Sequence, residues 1–498
     1  MNETTTSRAG QPPPSAPELP PGLIPTYGIF NDCWHLVHDA TVNGNIIYLE
    51  LAAAMVQISS NGQYRAAGYI MKRMRNSISI GLCFVSIYVC VGCKPSPTVL
   101  PHDINFGTGI YLDRTLFDGQ RTRDAVKLAA EAGMKWSREE FHWDQIEPER
   151  GVSDEDMLAR YDRAVGTLRE NGLSILGLLA YRTPWSSGEN APATDAQRLD
   201  YAHYAAAMVE RYHDSVKVWE VWNEPNLDHF WPPKSDPAAY TELLRVTYTA
   251  IKESDPTAKV VGCSTSGVDL NFIRSVLDGG GGQYMDILSI HPYSGNQSTD
   301  VADEREGIRQ LRQMLVEFEL DLPIWVSEVG FQTSTDDNGV SEADQGALLV
   351  RTYLTLFAEG VDVVINYDFI DDGDDPDEWE QNFGIVHHNL DPKPAYHAIK
   401  TAAQMLEGAQ FERSVDIGFA LEAFEFSIPD GRHLWAIWSS KQNGLLGLGL
   451  LPVPQVELPT SETVERVIGL YGQCLAIEPG GTFHFKPEAE PIFILTRP

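Results

Sequence analysis

Eight short apolar runs alternate with amphipathic helical patterns between residues 104 and 402, and this alternation constrains the fold more than any other feature. Parallel strands need a long crossover, usually a helix, so strands that alternate with helices predict a parallel sheet. Eight such units predict a (β/α)₈ barrel, and a doubly wound sheet is the competing architecture. The strand-like runs are 104–111, 134–141, 173–179, 216–221, 259–263, 285–290, 324–326 and 361–367.

Two glutamates favour the barrel, because each of them follows the end of a strand-like run. Glu224 follows the fourth run and Glu328 follows the seventh. In a barrel of parallel strands, the carboxyl ends of the strands meet at one face, where active sites lie. Two carboxyl groups that meet can cleave a glycosidic bond, one as a proton donor and the other as a base or nucleophile. The sequence therefore predicts a glycosidase that acts on a carbohydrate.

The motifs around these glutamates resemble a known group of enzymes. Trp222-Asn223-Glu224-Pro225-Asn226, His291-Pro292-Tyr293 and Ser327-Glu328 are similar to the signatures of clan A glycoside hydrolases. The first motif, with Phe230-Trp231 after it, is most similar to family 39, which includes β-xylosidases and exopolysaccharide endoglycosidases. Family 5 is the next most similar. The resemblance covers roughly residues 105–400, with a weaker similarity in the C-terminal part.

The resemblance implies a retaining mechanism in which Glu224 is the acid/base and Glu328 is the nucleophile. Asn223 can bond the sugar 2-hydroxyl, a contact that strengthens in the transition state. The distance between the two carboxyl groups distinguishes a retaining mechanism from an inverting one. It is about 5–5.5 Å in retaining enzymes and about 6.5–9.5 Å in inverting ones.

Three further residues would support the glutamates if the resemblance holds. Arg138, at the end of the second run, and Tyr293 would keep Glu328 ionised, because a nearby cation and hydrogen bonds favour the charged form. His291 would line the bottom of the same site, next to Glu328. Burial near Glu328 is expected to raise the pKa of Glu224, so that this residue is protonated for its first task.

Aromatic residues near strand ends are expected to bind the flat faces of sugars, and Trp185, Trp231 and Tyr367 are the candidates. Two positions differ from family 5. The last run ends in Asn366-Tyr367-Asp368, where many family 5 enzymes place a tryptophan. The third run ends in Ala180-Tyr181-Arg182, without the histidine that family 5 often has. Both differences argue against a plain cellulase.

The leading hypothesis is therefore a retaining hydrolase of β-linked polysaccharides or oligosaccharides. One alternative is an exo-acting β-xylosidase or a family 5 endoglucanase-like enzyme. An open groove would favour endo action and a blocked pocket exo action. The other alternative is a carbohydrate-binding protein without turnover. Fold alone does not decide between these classes.

Charge and cysteine patterns exclude other classes of protein. The net charge is −33, from 37 basic and 70 acidic residues, so the chain would repel nucleic acid. The pair Cys90 and Cys93 lacks a second metal-ligand pair at zinc-site spacing, so the sequence predicts no metal site. A glycine-rich phosphate loop is absent, and no cofactor is expected. The sequence indicates no particular oligomeric state.

Residues 71–93 have the pattern of a bacterial lipoprotein signal. A basic stretch at 71–75 precedes an apolar run at 78–91, and the small residue Gly92 comes directly before Cys93. Cys93 would be lipidated and would anchor an exported protein to the cell envelope, or the protein would be extracellular. A signal peptide should lie at the N-terminus of the translated protein. Residues 1–70 are therefore interpreted as an extension from a misassigned start codon, and Met71 as the true translation start. A genuine extension with a signal anchor is the alternative.

Alternating runs replace the helical patterns after about residue 405, and they predict a small β-sandwich. The predicted organisation begins with the extension, the signal and a linker at 94–103. The barrel at 104–402 and the sandwich at 403–498 follow.

Overall fold

The computed structural model describes residues 104–112, 114, 119–293, 302–418, 421–439, 458, 460, 462–476 and 490–497. The extension, the signal, the linker and the lipidation site at Cys93 lie outside the described residues. Export, lipid anchoring and the domain boundaries therefore stay predictions. In the part of the chain that is described, no helix has both the length and the apolar character that crossing a membrane needs.

Eight parallel strands close into a barrel, as the alternation predicted. Each strand pairs with its successor in the sequence, and β1 pairs with β8 through Asn105 opposite Val363, which excludes a doubly wound sheet. The strands are β1 Asn105–Gly109, β2 Trp136–His142, β3 Ser174–Ala180, β4 Val218–Val221, β5 Lys259–Ser266, β6 Ile287–His291, β7 Ile324–Val329 and β8 Val363–Asn366.

Helices connect the strands, and local sequence signals set where several of them begin. Thr194 and Gln197 form a reciprocal capping box, and Asp236 caps the helix that starts with Pro237. The helices are α1 Gly119–Glu131, α2 Trp143–Ile146, α3 Glu155–Glu170, α4 Asp195–Tyr212, α5 Pro237–Ser254, α6 Leu270–Asp278, α7 Ala302–Glu317, α8 Glu342–Ala358 and α9 Pro394–Met405. Two short 3₁₀ helices span Gly281–Tyr284 and Trp379–Asn382.

The barrel interior changes from apolar to polar along the strands. Alternate residues of a barrel strand point inward, so positions two apart on one strand lie one above the other. A cluster of apolar side chains fills the N-terminal part of the barrel. The next inward positions on four strands are polar, and they carry the candidate site: Arg138, Glu220, Ser289 and Ser327. The apolar cluster consists of Trp136, Leu176, Val218, Val261, Ile287, Trp325, Val363 and Ile365.

The C-terminal part forms an antiparallel sheet of six strands in the order β13-β12-β14-β11-β10-β9. One face, which includes Phe424 and Phe426, packs into the main core. The other face, which includes Trp435 and Ile437, is buried in a separate cluster, as in a layer of the predicted sandwich. The strands are β9 Gln410–Ser414, β10 Leu421–Ser427, β11 His433–Ser439, β12 Thr463–Ile468, β13 Cys474–Leu475 and β14 Ile492–Arg497.

Candidate active site

The backbone after β4 places Glu224 in an unusual conformation. Trp222 and Glu224 have positive φ angles of 70° and 43°, in the left-handed region that side chains rarely adopt. Such a conformation costs on the order of 1–3 kcal/mol per residue and persists only where the surroundings hold it. The Trp222 ring is fully buried, and the Glu224 amide donates to the Ser264 carbonyl at 3.0 Å. The turn therefore holds the Glu224 carboxyl group over the barrel mouth.

A bulge in β5 provides that carbonyl. The predicted run ended at residue 263, but β5 extends to Ser266. The pairing of β5 with β6 shifts register between Cys263 and Thr265 and then continues to Ser266. Cys263 and Ser264 both have positive φ angles there. Bulges of this kind redirect side chains near active sites. This one turns the Ser264 hydroxyl toward Glu220, to which it donates at 2.6 Å.

The two predicted glutamates meet at the mouth of the barrel, one from β4 and one from β7. One carboxylate oxygen of Glu224, one of Glu328 and a ring nitrogen of His291 all lie within 4.8 Å of one another. Both carboxyl groups are mostly buried, with side-chain exposures of 8% for Glu224 and 13% for Glu328.

Glu328 accepts hydrogen bonds on both oxygens from the two predicted supports. Arg138 Nη1 donates to Oε2 at 2.8 Å, and the Tyr293 hydroxyl donates to Oε1 at 2.5 Å. Burial, followed by the negative charge of Glu328, raises the pKa of Tyr293 well above its ordinary value, so its hydroxyl keeps its proton. Arg138 Nη2 also donates to Asn223 Oδ1 at 2.6 Å, which leaves the amide nitrogen of Asn223 as the end that can donate to a ligand.

Glu220 is a central residue that the sequence reasoning missed. Its Oε2 accepts from Arg138 Nε at 2.6 Å, and its Oε1 accepts from the hydroxyls of Ser264 at 2.6 Å and Ser327 at 2.5 Å. Burial raises the pKa of Glu220, but the charge of Arg138 and the interaction with His291 outweigh burial and lower the pKa to about 2. The sequence did contain an indication of this role. Glu220 lies within an apolar strand, two residues from Val218, so the two side chains share one face of the strand, which is the barrel interior.

The network around Glu220 determines how His291 is protonated. Ser327 gives its single hydroxyl proton to Glu220, so it must accept from His291 Nε2, which lies 2.9 Å away. Nε2 therefore carries a hydrogen, and Nδ1 faces Glu224 Oε1 at 3.0 Å. Burial lowers the pKa of His291, but its interactions with Glu328, Glu220 and Glu224 outweigh burial and raise the pKa to about 9.

The expected direction of the Glu224 pKa shift is wrong for this structure. Burial does raise the pKa of Glu224, but the hydrogen bond with His291 and the positive charge of that ring outweigh burial and lower the pKa. The sequence reasoning weighed burial and Glu328 and left out the histidine. One proton therefore lies on the bond between His291 Nδ1 and Glu224 Oε1, on the histidine side before substrate binds.

Of the three expected aromatic residues, Tyr367 lies in the cluster against which Tyr293, a partner of Glu328, is packed. Its hydroxyl accepts from Arg114 Nη1 at 2.8 Å and donates to Glu380 Oε1 at 2.6 Å. Its ring packs in a small cluster with Tyr111 and Phe383, and Tyr293 packs against this cluster. Tyr367 therefore borders the side of the site where Glu328 is supported.

The structure contradicts the expectation for Trp231, whereas the expectation for Trp185 stays a prediction. Trp231 is only 3% exposed and packs against Trp222 and Tyr240, so it belongs to the core and offers no ring face to a sugar. Trp185 lines a cavity of about 330 Å³, where the Arg150 guanidinium lies over its ring. None of the residues around the glutamates lines that cavity.

Geometry alone would let Glu224, His291 and Glu328 hold a metal ion, and no other such group occurs among the described residues. The protein itself already occupies the facing atoms. His291 Nδ1 bonds Glu224, and the oxygens of Glu328 bond Arg138 and Tyr293. The guanidinium beside Glu328 would also repel a cation. We therefore interpret the three residues as a proton-sharing pair next to a carboxylate.

Comparisons with known proteins support a glycosidase with this fold. The family model described as "Glycosyl hydrolases family 39" matches residues 201–445. A family 39 glycoside hydrolase from the gut symbiont Bacteroides cellulosilyticus has a similar structure. It is 25% identical, with a TM-score of 0.66 over 80% of this chain and 81% of that one. The chain is a clan A glycoside hydrolase, most similar to family 39.

Curated relatives of this glycoside hydrolase include two β-xylosidases. The enzyme from Geobacillus stearothermophilus is 26% identical over 218 residues, which are 38% of this chain and 42% of that protein. The enzyme from Caldicellulosiruptor saccharolyticus is 25% identical over 238 residues, which are 43% of this chain and 46% of that protein. The chain thus spans under half the length of the curated relatives that it matches.

Replacing Arg138 with methionine is expected to destabilise the glycoside hydrolase barrel by about 3–5 kcal/mol, because Glu220 and Glu328 lose the cation between them. Urea and thermal unfolding midpoints would measure the loss. The penalty should shrink at acid pH, where the released carboxylates can take up protons.

The matched control is Arg211→Met, which removes the partner of Asp162. That pair is 35% and 46% exposed, and pairs of this kind contribute less than about 1 kcal/mol. Equal midpoint shifts for the two variants would contradict this account of Arg138.

Proposed function

We propose that this protein is a retaining glycoside hydrolase that cleaves β-glycosidic bonds by double displacement at Glu224 and Glu328. The observation that carries the proposal is the approach of the two carboxylates to within 4.8 Å, measured between their facing oxygens. That approach is consistent with the separation of about 5–5.5 Å between the carboxyl groups of retaining enzymes.

In the first step, a carboxylate oxygen of Glu328 attacks the anomeric carbon. The bond to the leaving oxygen breaks while Glu224 gives that oxygen its proton, and a glycosyl ester of Glu328 remains. In the second step, the Glu224 carboxylate takes a proton from water. The water oxygen then attacks the anomeric carbon, and the ester bond to Glu328 breaks. Two inversions leave the product in the original β configuration.

His291 supplies the proton that Glu224 needs for the first step. A bound sugar would remove the remaining water from the Glu224 carboxyl group, and desolvation favours the neutral form of a carboxylic acid. The proton on the 3.0 Å bond would then pass from His291 Nδ1 to Glu224 Oε1. Because Ser327 and Glu220 hold Nε2 as a donor, the imidazole left behind is a single neutral tautomer.

A β-xyloside is the first substrate to test, because the two curated relatives are β-xylosidases. A carbohydrate-binding protein without turnover remains the second candidate. Binding alone would not need a carboxylate pair with Arg138, Tyr293 and His291 in support, and this full set favours the enzyme.

The test is hydrolysis of nitrophenyl β-glycosides, xylan, β-glucan, mannan and exopolysaccharide by the full chain, with proton NMR of the first product formed. The β anomer is the expected first product. An α anomer would refute retention. No hydrolysis of any substrate on the panel would favour the carbohydrate-binding protein.

A further inference from the structure

Glu140 is a third carboxylate at the mouth of the barrel, and the proposed two-glutamate mechanism gives it no task. It lies two residues beyond Arg138 on the inward face of β2, about 6.6 Å nearer the mouth at the rise of a strand. Since Arg138 contacts Glu328 directly, Glu140 lies beside the space that a sugar on Glu328 would occupy.

The contacts of Glu140 leave it able to accept further hydrogen bonds. Oε2 faces His142 Nε2 at 3.1 Å, and Oε1 accepts from the Tyr181 hydroxyl at 3.1 Å. The guanidinium of Arg114 is 3.7 Å from Oε1. A carboxylate has about four acceptor positions, so these neighbours leave capacity for a ligand.

Comparison with Glu220 separates a structural carboxylate from one that can meet a ligand. Glu220 is fully buried and accepts three short hydrogen bonds from protein groups. Glu140 has a side-chain exposure of 8%, equal to that of Glu224. The Glu140 side chain therefore keeps a small exposed surface, as the Glu224 side chain does.

The surroundings also hold Glu140 ionised and in place. Burial raises the pKa of Glu140, but the hydrogen bond with His142 and the charges of Arg114 and His142 outweigh burial and lower the pKa to about 2. The Tyr181 ring is fixed by stacking with Phe230 at 6.1 Å between ring centroids. An ionised and oriented carboxylate that keeps some exposure beside a carboxylate pair is a candidate functional group.

We propose that Glu140 accepts a hydrogen bond from one hydroxyl of the sugar that Glu328 attacks, and so determines which β-glycosides the enzyme prefers. Arg114, His142 and Tyr181 are positioning residues that hold the Glu140 carboxylate toward this hydroxyl. The inference rests on the proposed glycosidase function and names the kind of substrate group that the site selects, a neutral sugar hydroxyl.

The test compares wild type, Glu140→Gln and Glu139→Gln. Glu139 is the matched control, because it lies on the same strand and is also buried. Its carboxylate accepts from the Leu112 amide at 2.9 Å and the Ser137 hydroxyl at 2.5 Å, on the other face of β2. The substrates are the nitrophenyl β-glycoside that wild type cleaves fastest and its monodeoxy analogues, each lacking one hydroxyl.

Glu140→Gln is expected to lower kcat/KM for the parent glycoside about 10- to 100-fold, the range for a hydrogen bond to a charged group. For one deoxy analogue the effect should fall to about twofold or less, because the partner hydroxyl is already gone. Glu139→Gln should match wild type. If Glu140→Gln slows all analogues equally, or matches Glu139→Gln, the proposal is overturned while the proposed function stands.

Binding decides the question if wild type hydrolyses nothing. D-xylose and D-glucose are then titrated into the three proteins and followed by calorimetry. Binding that Glu140→Gln weakens and Glu139→Gln does not would support the hydroxyl contact, although the proposed hydrolysis had failed. Equal binding by all three proteins, or no saturable binding of either sugar, would overturn the proposal.

Discussion

Replacing Glu328 with glutamine is expected to lower kcat by on the order of 10⁴-fold or more, whatever the leaving group. The amide cannot form the glycosyl ester, so the first displacement has no nucleophile. Arg138 and Tyr293 both donate to this carboxylate, and a glutamine keeps the shape of the side chain while losing the charge. The measurement is steady-state kinetics with a xyloside, or the best substrate of the panel, at matched protein concentration.

The control for this variant is Glu139→Gln, together with circular dichroism to show that both variants remain folded. A second experiment identifies the role. In Glu328→Gly, added azide should occupy the vacated space and form a glycosyl azide of inverted configuration. Turnover by Glu328→Gln within tenfold of wild type would refute the nucleophile assignment.

Replacing Glu224 with glutamine is expected to have an effect that depends on the leaving group. A poor leaving group, such as an alkyl alcohol, needs a proton as the bond breaks, so its hydrolysis should fall about 10²- to 10⁴-fold. A dinitrophenolate leaves without a proton, so the first step should persist with that substrate. The second step still lacks its base, and the glycosyl ester of Glu328 should accumulate.

Rapid mixing with the dinitrophenyl glycoside would reveal this difference as a burst of phenolate followed by slow turnover. Azide should accelerate the slow phase in Glu224→Ala and give a glycosyl azide of retained configuration, the opposite of the Glu328→Gly product. The same loss for alkyl and dinitrophenyl glycosides, with no burst, would contradict the acid/base role of Glu224.

Much of the site could be predicted because its signals are local in the chain. Glu224 and Glu328 each follow an apolar run of strand length, and in parallel strands such positions meet at one face. His291 ends β6, Tyr293 follows it, and Arg138 lies within β2, and the structure brings all three to the two glutamates. Trp231 shows the limit of this reasoning, because aromatic character next to a motif does not distinguish a platform from the core.

Glu220 and the pKa of Glu224 could not be predicted in the same way, because they depend on contacts between distant strands. Ser327 reaches Glu220 across 107 positions in the chain, and His291 reaches Glu224 across 67. The bulge at Cys263 and Ser264 is a further tertiary feature. Neither residue is a glycine or an asparagine, the residue types that usually adopt a left-handed backbone.

The barrel, the C-terminal sheet and the pair of glutamates could all be predicted from the order of residues along the chain. Their signals are the strand and helix periods and the strand ends, which neighbouring residues set. The approach of the two carboxylates to within 4.8 Å and the burial of Trp231 in the core became visible only in the folded chain. Likewise, the hydrogen bond and the charge of His291 lower the pKa of Glu224, a contact that only the folded chain creates. These outcomes depend on closure of the barrel, which sets the distances and charges between residues from different strands.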